Sequence, residues 1–167
     1  MIDLRLPVAA VSVLCVSATW RPEDFLTDKA LLVRVVCAEA LRAPRSERRA
    51  VMGVALDRVA SPGWWGGDLR EVLLAPRQFA SPWSPWCGRT LPDRDDGLPW
   101  SPGMMEMHDR LMAEIREDAE SALEGRLEAP LPGATYFHAK DLGELWPWLE
   151  EVPTPDGWWH RFYKERQ

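Results

Sequence analysis

The feature that most constrains this chain is a carboxyl on the wrong side of a helix. From Thr27 or Asp28, either of which can cap a helix, to about Arg42, apolar residues recur at helical spacing. The inner stripe runs Leu32, Val35, Val36 and Glu39, spaced i, i+3, i+4 and i+7. An ionised glutamate among apolar neighbours is costly unless something compensates it. Two compensations are open: a structural bridge to an arginine, with Arg58 and Arg77 as partners, or a cleft where partial burial holds the carboxyl protonated. Helical spacing alone permits both.

The rest of the pattern reads as α+β, mainly α. Pro44 ends the first helix and Ser46 is expected to cap a second, with Met52, Ala55, Leu56 and Val59 on one side. Gly53 inside that helix costs about 1 kcal/mol relative to alanine, which suggests a close helix crossing. A short helix capped by Asp68 stops before Pro76. Residues 76–102 are too rich in Pro, Trp, Gly, Asp and Ser for a regular element, and a loop of that length is usually functional. Ser101 and Pro102 start a long helix carrying Met104, Met107, His108, Leu111, Ile115 and Ala122 on one side, closed by Gly125. Ala134 to Ala139 and Trp158 to Tyr163 read as strands of a small antiparallel ribbon near the C-terminus. Two segments are expected: an apolar one over 1–26 and one compact domain over 27–167.

Composition removes several classes of function. A net charge of −6 leaves no basic face for a nucleic acid, and Arg42, Arg45, Arg48 and Arg49 read as solvated surface. The apolar run from Leu6 to Ala18 is too short to span a membrane. Val16-Ser17-Ala18 would suit a signal-peptidase site, but Asp3 and Pro7 favour a buried strand or a docking segment. Cys15, Cys37 and Cys87 form no short pair, so no disulfide framework or zinc knuckle is indicated, and Cys37 reads as core packing. Ten tryptophans against two tyrosines, many beside Pro and Gly, suit loops that either plug gaps or stack on sugar rings.

Five segments, in order, carry a resemblance: Cys37 to Ala40, Ala50 to Val59, Arg77-Gln78-Phe79, Gly133 to Ala139, and His160 to Tyr163. Together they resemble the SleB-type cell-wall hydrolases, which include spore-cortex lytic enzymes and phage lysins. The resemblance spans roughly Lys29 to Lys164 and implies a lysozyme-like helical fold acting on peptidoglycan glycan strands, without metal or cofactor. It implies that Glu39 is the essential acid of a lytic transglycosylase, which cuts the MurNAc–GlcNAc bond and leaves a 1,6-anhydro sugar. By the same likeness Gln78, Phe79, Tyr136, His138 and His160 are expected to bind substrate, although Phe79 can equally anchor the loop and either histidine can be structural. Where the family has a second glutamate this chain has Ala43, and its helix asparagine is Asp57. The expected location is the cell envelope or periplasm, the exterior, or a virion. Two rivals remain: a decayed wall-binding or structural component docked in a phage tail or phage-like particle, and a zinc amidase or peptidase drawing ligands from His108, His138, His160 and a carboxylate or Cys87.

Overall fold

The computed structural model describes residues 26–61, 63–80, 83–88, 98–143 and 145–166. The expectations for the apolar N-terminal segment therefore lie outside the described residues, apart from Leu26.

Helix α1, Asp28–Ala40, starts where the sequence places it, with the Thr27 hydroxyl accepting the Ala30 N–H at 3.2 Å. It is buried on more than the expected stripe: Leu31, Val33 and Cys37 are covered as well as Leu32, Val35 and Val36. The reason is that α2 (Arg45–Ala60), α3 (Leu69–Leu74) and α4 (Pro102–Leu123) all pack on it, making α1 the central helix. Ser46 does not cap α2. Pro44 occupies the cap position, where its fixed φ suits the start of a helix and no side chain takes up the free N–H groups. Asp68 and Ser101 do cap α3 and α4, accepting from Glu71 N–H and Met104 N–H.

Gly53 marks a close approach, but not to a helix. A Cβ there would lie 2.9 Å from the Cβ of Ala129, in the segment that leaves α4 and crosses over α2. Asp57, on the same helix, accepts the Gly133 N–H at 2.8 Å and so ties the end of that crossing to α2.

The basic cluster is a clamp rather than a solvated face. Arg45 and Arg49 both reach the buried Asp118 of α4, at 2.8 and 2.9 Å, and Arg45 also meets Glu117. Arg48 is 2% exposed. It donates to the carbonyl of Ala43 at 2.5 Å and pairs with Glu114, so it covers backbone acceptors that the end of α1 leaves open. Only Arg42 of the four joins neither contact.

The ribbon forms as expected and gains a strand. β1 (Tyr136–Ala139) and β3 (His160–Lys164) pair antiparallel, with Phe137 opposite Phe162 and Ala139 opposite His160. β2 (Glu150–Val152) adds to the other edge of β3, giving the order β1-β3-β2. Alternation sends Phe137, His160 and Phe162 to one face and Tyr136, His138 and Tyr163 to the other. On the first face Phe137 stacks on Phe162 at 5.7 Å and meets Phe79, which joins the sheet to the helical core.

Candidate active site

Glu39 sits in the last turn of α1, where the central helix reaches the edge of the core, and it is half-buried. Neither expected arginine bridges it. Arg77 is exposed, in a left-handed conformation at φ 64°; the turn it makes returns the chain so that the Ala80 N–H donates to Glu39 Oε1. Arg58 points its Nε to the Thr135 carbonyl at 2.7 Å and lies over the ring of Phe79 at 4.9 Å. Burial pushes that guanidinium down to about 10. Among the described residues Glu39 has no ion pair within 4.0 Å. Burial raises its carboxyl above the ordinary carboxylate range, against the opposing pull of the Ala80 N–H, His160 and Arg58.

The carboxyl opens onto a cleft of about 420 Å³ between the end of α1 and the first turns of α4. Its walls are apolar and aromatic: Trp86 on one side, Trp159 on another, and Met104, Met107 and Leu111 along α4. Arg42 lines it too, and among the described lining residues Glu39 is the only carboxylate. Trp159 is 51% exposed and Trp86 38%, so both rings present a face to a ligand. Trp86 is held from behind. Its ring meets Trp100 edge-on at 5.0 Å, and its carbonyl accepts from Nε2 of the buried His108 at 2.9 Å.

A disulfide between Cys37 and Cys87 corrects the expectation that no disulfide is indicated, while Cys37 is packed in the core as expected. Their separation of 50 residues gave no local pairing signal. Only the fold reveals that the 3-10 turn Pro85–Cys87 lies against α1.

The other expected substrate-binding residues are dispersed. Gln78 is half-buried in the turn after α3, its backbone N–H on the Ala75 carbonyl, and does not line the cleft. Phe79 packs against Phe137 and the core, the anchoring alternative. Tyr136 and His138 lie on the other face of the sheet, with Trp146 and Tyr163, and Tyr136 also meets the ring of Trp65. His138 donates from Nδ1 to the Ala139 carbonyl at 2.8 Å and accepts the Tyr163 hydroxyl at Nε2 at 2.9 Å, which commits both ring nitrogens. His160 stands on the helix-facing side and acts electrostatically on Glu39. Its Nδ1 donates to Glu47 at 2.7 Å. Glu47 and Trp159 did not emerge from the sequence, because a polar residue in a helix's first turn carries no periodic signal and Trp159 reads as part of a strand, whereas Trp86 is one of the loop tryptophans expected either to plug gaps or to stack on sugar rings.

The ligand set that a zinc site needs is not assembled. His108 is bonded to Trp86, His138 and His160 occupy opposite faces of the sheet, and Cys87 is in the disulfide. Among the described residues no group of three or more His, Cys, Asp or Glu side chains has the placement to hold a metal ion. Among them, too, no helix is long and apolar enough to cross a membrane.

Residues 42–163 match the family described as Cell Wall Hydrolase. The matched segment begins three residues after Glu39 and runs from before α2 to Tyr163 in β3. Among curated proteins and solved structures, none matches the chain.

Proposed function

The chain belongs to the SleB-type cell-wall hydrolase family and so acts on peptidoglycan, and from that premise we propose that it cuts the glycan strand at the MurNAc–GlcNAc bond, with Glu39 as its acid. One observation carries this reading. A carboxyl whose pKa is raised by burial stands at the wall of an aromatic cleft with no second carboxylate among the described lining residues.

An acid of that kind keeps its proton until a leaving oxygen needs it. The Glu39 proton passes to the bridging oxygen as the C1–O bond breaks, and the charge that develops on the sugar is met by the new carboxylate. The carboxylate then takes the proton of the 6-hydroxyl of the same muramoyl residue while that oxygen bonds to C1, giving the 1,6-anhydro ring and regenerating the acid. Hydrolysis with a second carboxylate would need that group about 5–9.5 Å away. Trp86 and Trp159 suit the flat apolar faces of two sugar rings. The Cys37–Cys87 disulfide supports an oxidising location, in the envelope or outside the cell.

The ends of the products test the reading. Purified peptidoglycan digested to completion and resolved by mass spectrometry is expected to yield muropeptides ending in anhydro sugars. Reducing ends would make the enzyme a muramidase that uses water, and stems freed from intact glycan would make it an amidase.

A further inference from the structure

Beneath the cleft lies a second glutamate that no step above uses. Glu47, in the first turn of α2, is 0% exposed. Its Oε1 accepts three N–H groups at once: the backbone of Trp159 at 2.8 Å, the backbone of His160 at 2.8 Å, and the ring Nδ1 of His160 at 2.7 Å. Its Oε2 is buried without a hydrogen-bond partner among the described residues. Burying a carboxylate this fully is costly, and α2 is already tied to α4 by the arginine clamp and to the crossing segment by Asp57. Glu47 ties α2 to the start of β3, where Trp159 of the cleft wall and His160 are neighbours in sequence.

We propose that Glu47 and His160 form a positioning pair for Glu39, in which one buried carboxylate oxygen fixes both the Trp159 wall of the Glu39 cleft and the His160 imidazole at the start of β3. With Nδ1 donating to Glu47 the ring is held in one orientation, and its electrostatic pull favours the carboxylate that forms as Glu39 gives up its proton. Glu39 is also faced by Arg58 from α2 and by the Ala80 N–H from the loop after α3, while Arg42 and His108 share its cleft. Glu47 is not among the groups that act on Glu39 directly, so its influence runs through His160. This inference rests on the reading of Glu39 as the acid.

The test uses His160→Asn and Glu47→Gln, with Glu39→Gln as the control for the underlying reading. Asparagine can still donate to Glu47 without a ring charge, and glutamine can still accept the three N–H groups without its own charge, so both preserve the local shape. With soluble glycan fragments as substrate, His160→Asn is expected to lower kcat at least tenfold with KM within twofold. Because the ring favours the Glu39 carboxylate, its loss is expected to move the basic limb of the kcat profile to higher pH. Glu47→Gln is expected to move the same limb in the same direction, which a merely structural carboxylate would not do. The pairing is overturned if both variants keep the parental kcat and limb and lose only melting temperature. Should Glu39→Gln itself remain active, the acid assignment fails and the positioning pair fails with it.

Discussion

The disulfide from Cys37 to Cys87, with Cα atoms 5.6 Å apart, ties the helix two residues before Glu39 to the turn that carries Trp86. It therefore fixes the aromatic wall of the cleft relative to the acid. Closing a loop of this length contributes about 4 kcal/mol in the chain-entropy description. Reduction, or the double change Cys37→Ser and Cys87→Ser, is expected to lower the unfolding free energy by up to that amount and to cut the activity on peptidoglycan several-fold. Melting curves and activity with and without dithiothreitol check this. The double variant is expected to be indifferent to the reductant.

Glu39 carries a stability cost that should be measurable through pH. Its pKa is raised in the folded state by burial, so its contribution to stability is fully present below the ordinary carboxylate pKa and is lost as pH rises through the folded value. At neutral pH the ionised group opposes folding. Glu39→Gln is therefore expected to be more stable than the parent at neutral pH, with the difference shrinking on acidification. Urea unfolding at neutral and acid pH reads it directly.

Asp118 has the opposite sign. Burial alone would raise its pKa, but the hydrogen bonds and charges of Arg45 and Arg49 outweigh burial and hold it below the usual range. That stability is present above the unfolded pKa and is lost as pH falls through the folded one. Since the arginines are more than a third exposed, solvent screens part of the interaction. Asp118→Asn is expected to cost about 2 kcal/mol at neutral pH and less in acid. Denaturant midpoints at the two conditions separate this from a packing defect, which would not vary with pH.

The helices were legible in the sequence because periodicity and capping agree: Thr27, Asp68, Ser101 and Pro102 each stand at or beside a helix start. The inward position of Glu39 was legible for the same reason. What escaped was set by contacts distant in sequence. Cys37 finds Cys87 through a long irregular loop, and β2 is a strand of three residues with no apolar alternation of its own. Arg48 and Glu47 look like surface charges on a helix, yet both are buried, because α4 and the start of β3 supply their partners. Gly53 announced a close neighbour without revealing that an irregular segment, not a helix, would be that neighbour. Loop tryptophans were legible as a set that plugs gaps or stacks on sugars, but which of them, Trp86 included, would line the cleft was hidden because loops obey no period.

The central claim is that Glu39 gives its proton to the glycosidic oxygen, and the most direct measurement is the turnover of purified peptidoglycan by Glu39→Gln beside the parent enzyme. The exchange keeps the shape and the Ala80 contact and removes only the titratable proton. If the account is right, the variant folds, binds the polymer and releases soluble muropeptides at least a thousandfold more slowly, roughly 4 kcal/mol of lost barrier reduction. Release at the parental rate by a folded Glu39→Gln would contradict it.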